Sequence, residues 1–324
     1  MGTALHLVTL REAHEAAGRL LAALPQLPEL ILGIPRSGMI FAQALAAAAN
    51  VACQSVDEFL SGGPTAAGMR GRGRGLGAGR EAGAPRRVLV LDDSVGTGRA
   101  MKEAREALAP RSQGCQFRFA AVIAAPEGRR WVEHHGLVVP FPRVFEWNTL
   151  HHHLGRDFCW DLDGVLCDNP PPFEEDGDCA EYEEFIRTAP PRFLPPHPLG
   201  WIVTSRLSRY RAPTLEWLAK HGIQHRGLVT LDLPSAAVRR RLRLHAQYKA
   251  SVYASSPALL FVESDRQQAR AIRAWSGKPV YCSDTLSFAT ATRWSVPRRI
   301  HGRFAGRAWR FALRKLIALR CAAE

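Results

Sequence analysis

Short apolar runs alternate along this chain with longer stretches in which apolar residues recur at helical spacing. The runs are rich in Val, Ile and Leu and predict buried strands, whereas residues 1–24 and 100–108 have the spacing of helices. This alternation is typical of α/β folds, in which helices flank a mostly parallel sheet. The predicted strands cover residues 29–33, 87–91, 117–124, 158–163, 200–204 and 259–263.

Two adjacent acids, Asp92 and Asp93, follow the apolar run 87–91, where that strand is expected to end. A small-residue loop comes next and leads into a helix near Arg99. Backbone N–H groups and hydroxyls of such a loop, at the positive end of a helix, can bind a phosphate. The carboxylates would repel that phosphate, so their natural partners are neutral hydroxyls or a metal ion. The loop consists of Ser94, Val95, Gly96, Thr97 and Gly98.

This stretch resembles the signature loop of the type I phosphoribosyltransferases, which bind 5-phosphoribosyl 1-diphosphate. The resemblance implies that Asp92 and Asp93 hold the ribose hydroxyls and that residues 94–98 hold the 5-phosphate. The alternative is any α/β phosphate loop, such as a nucleotide-binding turn, but the paired acids favour the first interpretation. No general base for the transfer is evident, although Asp92 or Asp93 could serve.

A second anion site is predicted where the strand at 29–33 turns into the next helix. A strand, a Gly/Pro/Arg turn and a helix N-terminus again form an anion site. In the same family this turn contacts the diphosphate leaving group, with Arg36 as the charge donor. A plain strand-to-helix turn is the alternative. The predicted diphosphate-binding residues are Gly33, Arg36, Ser37 and Gly38.

A separate motif begins at Phe158, where a predicted strand ends in Asp161 and Asp163. Residues two apart lie on the same side of an extended chain, so these carboxylates should be close and need a cation between them. Such a pair suits a carboxylate nucleophile and a general acid, with magnesium neutralising a phosphate. Three later features follow in order, namely Thr204 at a strand end, Lys249 after an Arg-rich helix, and Glu263 and Asp265 after another strand.

These parts together resemble the haloacid-dehalogenase-like (HAD-like) phosphatases. The resemblance implies that Asp161 forms an aspartyl-phosphate and that Asp163 protonates the leaving oxygen and then activates water. Thr204 and Lys249 would bind the phosphoryl group. Mg2+ would be held by Asp161 and Asp163 with Glu263 or Asp265, which the sequence does not rank. The segment between Cys167 and Pro198 leaves room only for a small cap, hence an open site.

Length and composition fit two such domains. The 324 residues suit two α/β domains, predicted at 1–150 and 157–290, followed by a basic tail at 293–324. The net charge of +13 implies an acidic partner, and seven scattered Cys suit a reduced, cytoplasmic protein. No apolar stretch is long enough to span a membrane. The run His151–His153 is not expected to bind metal, because adjacent side chains cannot all face one ion.

Two basic segments allow more than one interpretation. The Gly/Arg-rich segment 61–87 is typical of RNA-binding tracts, but its position between the two phosphoribosyl motifs favours a cationic lid. The tail places Arg303, Arg307, Arg310 and Arg314 on one stripe of a helix, opposite Trp and Leu residues. This amphipathic pattern suits an anionic membrane interface or a helix packed on the protein, and nucleic acid less well.

The two resemblances together predict a bifunctional ribofuranosyltransferase, similar to those of bacterial polysaccharide biosynthesis. The first domain would transfer 5-phosphoribosyl to a glycan acceptor, which can be lipid-linked, and the second would remove the 5-phosphate. Purine salvage members of the family place an acid where this chain has Gly96, which favours a non-purine acceptor. The alternatives are a nucleobase phosphoribosyltransferase fused to a nucleotidase, and a regulatory RNA-binding protein on a phosphoribosyltransferase fold.

Overall fold

A computed structural model of the chain describes residues 5–62, 86–111, 114–171, 180–242 and 244–290. It divides after Trp147 into two compact units, each with its own parallel or mostly parallel sheet. The predicted α/β class with parallel sheets is therefore confirmed. Most of the predicted lid, part of the predicted cap (172–179) and the whole basic tail lie outside the described residues, so those three predictions stay predictions.

The first unit contains seven strands and four helices among its described residues. The strands are β1 (His6–Val8), β2 (Leu30–Gly33), β3 (Ala52–Ser55), β4 (Arg86–Val95), β5 (Cys115–Ala124), β6 (His134–Val138) and β7 (Arg143–Phe145). The helices are α1 (Leu10–Ala22), α2 (Gly38–Ala49), α3 (Val56–Ser61) and α4 (Arg99–Leu108). Five strands form one parallel sheet in the order β3-β2-β4-β5-β6, and β1 pairs with β7.

The alternation of side chains along β2 and β4 sorts the core of this unit into two layers. Ile31, Leu89 and Leu91 pack with α1 and α2 on one face of the sheet. Val88 and Val90 pack with α3 and α4 on the other face. Both faces of the central strands are therefore covered, which explains why their sequences are continuously apolar rather than alternating.

Two sequence predictions about this unit are wrong in detail. The predicted helix over 1–24 is preceded by β1, because His6–Val8 finds a parallel partner in β7 far along the chain. The strand β4 also extends past its apolar run to Val95, because its ladder with β5 continues through Ser94 and Ile123. Asp92 and Asp93 consequently lie inside the strand and not after its end.

The second unit contains six strands and five helices among its described residues. The strands are β8 (Phe158–Trp160), β9 (Leu199–Leu207), β10 (His225–Leu231), β11 (Leu260–Glu263), β12 (Val280–Cys282) and β13 (Ser287–Phe288). The helices are α5 (Ala180–Thr188), α6 (Arg211–Lys220), α7 (Ala236–Leu242), α8 (His245–Ser255) and α9 (Arg266–Ser276). The sheet order is β10-β9-β8-β11-β12-β13, with only β13 antiparallel.

Neighbouring parallel strands β9, β8 and β11 end at the same edge of this sheet. Carboxyl ends of parallel strands are where ligands bind in open α/β sheets. Three predicted site segments follow these strands, so the topology gathers them. None of the helices in the part of the chain that the structure describes is long and apolar enough to cross a membrane.

Candidate functional site

Asp92 and Asp93 are two buried carboxylates in the last part of β4, with 8% and 6% of their surface exposed. The Asp93 backbone N–H donates to Oδ1 of Asp92 at 2.8 Å. The indole Nε1 of Trp147 donates to Oδ2 of Asp93 at 2.7 Å. One acid is therefore held by a side chain from a distant part of the chain, while the other borders an open cleft.

Burial disfavours the ionised form of both acids. Burial, followed by the charge of Asp93, raises the pKa of Asp92 to about 8. Burial also raises the pKa of Asp93, against the hydrogen bond from Trp147 and the charge of Arg143. Two adjacent carboxyls of this kind share a proton near neutral pH until a cation or hydrogen-bond donor reaches them. The pair is thus poised to accept hydroxyl donors or a metal ion.

The phosphate loop, residues 94–98, lines a cleft of about 350 Å³ together with Asp92 and the first turn of α4. Gly98 adopts a left-handed φ of +82° immediately before α4 begins. The small residues and this turn bring the loop backbone up to the helix N-terminus, which is the geometry of an anion site. The cleft therefore joins a place for an anion with a neighbouring carboxylate.

The packing around the loop leaves no space for larger residues at two of its glycines. A side chain at Gly98 would collide with the indole of Trp131, and a Cβ at Gly96 would lie 2.9 Å from Cζ of Phe141. The buried guanidinium of Arg143 donates to the Val95 carbonyl oxygen at 3.1 Å. The loop therefore packs against the rings of Trp131 and Phe141, and Arg143 donates a hydrogen bond to its backbone.

The predicted diphosphate turn lies directly against Asp92. The Ile34 N–H donates to the Leu91 carbonyl oxygen at 2.9 Å. A Cβ at Gly38 would lie 2.8 Å from that same oxygen and 3.2 Å from Oδ1 of Asp92. Gly38 therefore packs directly against Leu91 and Asp92, with no room for a side chain. Arg36 is exposed and Ser37 makes no side-chain capping bond to α2, so both side chains are available to a ligand.

A second cluster, the buried triad, consists of Asp161, Lys249 and Glu263 in the second unit. The Lys249 ammonium donates to Oδ2 of Asp161 at 2.7 Å and to Oε2 of Glu263 at 2.8 Å. Burial, followed by the charge of Glu263, raises the pKa of Asp161 well above its usual range. Burial opposes the charged form of Lys249, but the two carboxylates outweigh it and raise the pKa of the ammonium. Two carboxyls share one ammonium in a dry site, so the ionisation of both would leave an excess negative charge, which is why the pKa of Asp161 is raised.

Asp163 and Asp161 meet different side-chain cations, and the predicted metal between them stays a prediction. The chain leaves the extended conformation after Trp160 and turns at Gly164, whose φ is +83°. The carboxylate of Asp163 instead meets the guanidinium of Arg206, with Nη2 at 2.6 Å from Oδ1 and Nε at 3.2 Å from Oδ2. Each acid therefore has its own cation.

Thr204 is fully buried at the carboxyl end of β9, and its Oγ1 accepts the Arg206 backbone N–H at 3.1 Å. The Arg206 side chain is itself buried, and it also donates to Oγ1 of Thr214 at 3.3 Å. The predicted phosphate-binding threonine and the cation that orients Asp163 thus come from the same strand end. The sequence analysis did not identify Arg206, although its place two residues after Thr204 was a usable signal.

The structure separates the two candidate acids that follow β11. Glu263 is buried in the triad, and its Oε1 accepts the backbone N–H groups of Ser264 and Asp265. Asp265 caps α9 by accepting the Gln268 N–H at 2.6 Å. No group of three or more His, Cys, Asp or Glu is arranged to hold a metal within the described residues. Mg2+ commonly uses one or two carboxylates with water and substrate phosphate, and the two carboxyls of the triad fit that pattern.

The comparisons with known proteins bear on the first unit. The family model described as a phosphoribosyl transferase domain matches residues 6–158. No curated protein matches the chain. Among solved structures, a Helicobacter pylori xanthine-guanine-hypoxanthine phosphoribosyltransferase is 13% identical with a TM-score of 0.34, covering 46% of this chain and 95% of that one. A purine phosphoribosyltransferase from Pyrococcus horikoshii is 16% identical with a TM-score of 0.32, covering 44% and 93%.

The family match spans the features described above for the first unit, namely the paired acids, the phosphate loop and the turn at Gly33–Gly38. The match supports the part of the resemblance that concerned this half of the chain, and with it a transferase. Residues 6–158 are similar to the phosphoribosyl transferase domain family.

Proposed function

We propose that this chain is a bifunctional ribofuranosyltransferase. Its first unit transfers 5-phosphoribosyl from 5-phosphoribosyl 1-diphosphate to a glycan acceptor, and its second unit hydrolyses the 5-phosphate of the product. The observation that carries the proposal is the convergence of Asp161, Lys249, Glu263 and Thr204 at one sheet edge, in a chain whose other unit resembles a phosphoribosyl transferase domain. A transferred phosphoribosyl group retains the monoester that such a cluster can remove.

In the first unit, N–H donors and a cation bind the phosphates of the substrate, and the two acids bind its hydroxyls. The phosphate loop binds the 5-phosphate through backbone N–H groups, and Arg36 with the Gly38 turn meets the diphosphate. Asp92 and Asp93 accept the ribose hydroxyls, and the raised pKa of Asp92 suits it to take the acceptor proton as the bond to diphosphate breaks. Trp147 keeps Asp93 oriented during this exchange.

The environment of Gly96 supports an acceptor other than a purine. The Phe141 ring stands where a side chain at this position would project, and it is 52% exposed. An acid at this position would first have to displace the Phe141 ring. An exposed aromatic face beside the loop suits the apolar face of a sugar ring, whose C–H groups pack on aromatic rings. This supports the glycan acceptor over the nucleobase.

In the second unit Asp161 is the proposed nucleophile. One of its oxygens forms a bond to phosphorus as the bond between phosphorus and the ribosyl O5 breaks, and the leaving oxygen takes a proton from Asp163. Water then attacks phosphorus and returns a proton to Asp163, so that inorganic phosphate leaves and both carboxyls are restored. Thr204 and Lys249 bind the phosphoryl oxygens, and Arg206 keeps Asp163 in place.

Mg2+ would be held by Asp161 together with Glu263, and its contribution when bound is to neutralise the phosphoryl charge that two carboxylates would otherwise repel. We favour Glu263 over Asp265 because Asp265 already caps α9. Asp163 is paired with Arg206, so we assign it the proton transfer and not metal binding.

Separate assays of the two half-reactions test the proposal. The full chain with Mg2+ is expected to release diphosphate from 5-phosphoribosyl 1-diphosphate when a glycan acceptor is present, and phosphate from ribose 5-phosphate. Asp161→Asn should abolish only phosphate release, and the double change Asp92→Asn with Asp93→Asn should abolish only diphosphate release. Phosphate release that survives Asp161→Asn would refute the assignment of the second unit.

A further inference from the structure

Three polar residues of the second unit lie near one another, next to the Arg206 that meets Asp163, and have no role so far. They are Tyr182 from α5, Ser205 from β9 and Arg239 from α7. Nη1 of Arg239 donates to the Ser205 carbonyl oxygen at 2.9 Å. The Arg239 side chain also forms a hydrogen bond with Tyr182, whose raised pKa of about 12 reflects burial first and then the charge of Asp163.

An apolar cluster packs against Tyr182 and against the helix that carries Arg239. Tyr182 packs edge to face on Tyr210, with ring centroids 5.0 Å apart. Ala236 of α7 joins the same cluster, and Arg239 lies one helical turn further on the same face of that helix. The described part of the predicted cap is therefore anchored to the body of the unit at this point.

Two atoms of the set are buried without a hydrogen-bond partner among the described residues, namely Nε of Arg239 and Oγ of Ser205. Buried polar atoms in folded proteins are nearly always paired, so each such orphan calls for an explanation. These two unpaired atoms belong to residues that are joined by a hydrogen bond, so one ligand can satisfy both. Within the described residues Arg239 also forms no salt bridge with a carboxylate, unlike Arg206 and Lys249.

The position of the set identifies which part of a substrate it meets. Asp163 is the group that hands a proton to the leaving oxygen in the proposed reaction, and Tyr182 is electrostatically coupled to it. In the proposed reaction Thr204 and Lys249 bind the phosphoryl group, whereas Arg239 meets Ser205, the neighbour in sequence of the Arg206 that pairs with Asp163. Groups next to Tyr182 and Arg239 therefore face the leaving alcohol and not the phosphate.

We propose that Tyr182, Ser205 and Arg239 form a leaving-group subsite that recognises the hydroxyl-rich pentose of a sugar phosphate. This inference rests on the proposed phosphatase function and adds its substrate class. Arginine supplies N–H donors only, whereas the Tyr and Ser hydroxyls both donate and accept. Neighbouring sugar hydroxyls need that mixture, while an aryl leaving group such as p-nitrophenol has no hydroxyl to offer.

Steady-state kinetics with two esters test the subsite on the full chain. Wild type should show a lower KM for ribose 5-phosphate than for p-nitrophenyl phosphate. Arg239→Met and Tyr182→Phe should each raise KM for ribose 5-phosphate by about tenfold or more, the value of a hydrogen bond in a dry site. KM for p-nitrophenyl phosphate should change by less than about twofold. Arg239→Lys should recover part of the loss.

A matched control is available in Arg273→Met. Arg273 is also half-buried and donates to a backbone carbonyl oxygen, that of Gly277 at 2.7 Å, on the last turn of α9. The Arg273→Met variant should leave the KM values for both esters unchanged. Calorimetric titration of ribose 5-phosphate into Asp161→Asn, with and without Arg239→Met, measures the same recognition without turnover and should show the same loss of affinity.

The outcomes distinguish failure of the subsite from failure of the proposed phosphatase. If wild type hydrolyses neither ester, the proposed phosphatase fails and the subsite with it. If wild type hydrolyses both esters and the two variants change both KM values equally, or change neither, the phosphatase stands and the subsite is refuted. Only a loss confined to ribose 5-phosphate supports the assignment.

Discussion

Trp147 Nε1 donates a 2.7 Å hydrogen bond to Oδ2 of Asp93 across 54 residues of sequence. The indole ring is fixed in turn, since it stacks on Phe145 with centroids 4.8 Å apart and meets the edge of Phe41 at 5.2 Å. The bond favours the ionised form of Asp93 and opposes the effect of burial on its pKa. Trp147 thereby both orients Asp93 and favours its charged form.

Replacing Trp147 with Phe keeps the aromatic packing and removes this bond. A hydrogen bond to a charged group contributes about 1.5–3 kcal/mol, so we expect affinity for 5-phosphoribosyl 1-diphosphate to fall by at least about tenfold in calorimetric titration. Trp217→Phe is the control, because it also removes a buried indole bond, at 2.8 Å to the Ala189 carbonyl oxygen, but in the other unit. Equal affinities for wild type and Trp147→Phe would show that the bond has no part in binding.

Asp92 makes the stability of the first unit depend on pH. Its folded pKa of about 8 lies above its value of about 3.9 in an unfolded chain. Between these values the folded state holds a proton that the unfolded state has released. Stability therefore falls as pH rises through this window, by up to about 1.4 kcal/mol per pH unit, and is greatest on the acid side of it.

The variant Asp92→Asn cannot ionise, so it should flatten that dependence. Thermal unfolding from about pH 4 to about pH 8 should show the smallest difference in midpoint at the acid end and a growing advantage of Asp92→Asn toward the basic end. The same pH profile in both proteins would mean that Asp92 titrates normally.

Most of the fold followed from local pattern, and the exceptions have a common cause. The strands β2, β4 and β5 have apolar runs long enough to identify, because both faces of the sheet are covered. The strand β1 was missed because its three residues pair with β7, which lies far along the chain, and the helical periodicity that follows them conceals the strand.

In the candidate sites, too, residues encoded by local pattern were predicted and residues that act through tertiary contacts were not. Motif residues such as Asp92 and Asp161 were found because turn chemistry and strand ends are encoded locally. Trp147 and Tyr182 were not, because their roles depend on tertiary contacts between segments that are distant in sequence. The separate partners of Asp161 and Asp163, Lys249 and Arg206, were not predicted, because the chain turns at Gly164, where a side chain would collide with Ser264 Oγ.

Gly98 and Gly18 provide a matched pair of glycine substitutions. At Gly98 the φ of +82° disfavours any side chain, and a Cβ would strike Trp131. Gly98→Ala should therefore displace the phosphate loop and weaken binding of 5-phosphoribosyl 1-diphosphate, measured by titration. Gly18 lies within α1 with no atom within 4 Å of a new Cβ, so Gly18→Ala should instead stabilise the protein by about 0.5–1 kcal/mol. Unchanged affinity in Gly98→Ala would contradict the role of the loop.

Lys249 holds two buried carboxylates that have no other charged partner among the described residues. Lys249→Met should cost about 3–5 kcal/mol in chemical denaturation, because it leaves buried charge uncompensated. Adding Asp161→Asn and Glu263→Gln should recover part of that loss. Lys278→Met is the control and should cost less, since Lys278 donates to the carbonyl oxygens of Tyr253 and Ser256. A loss no larger than that of the control would show that the triad is not an electrostatic unit.

The most direct measurement of the central claim is the mass of the product that accumulates from 5-phosphoribosyl 1-diphosphate, Mg2+ and a panel of glycan acceptors. Wild type is expected to yield acceptor plus one ribosyl group without phosphate, and Asp161→Asn the same product with one phosphate retained. A dephosphorylated product from Asp161→Asn, or no acceptor modified by either protein, would contradict the account.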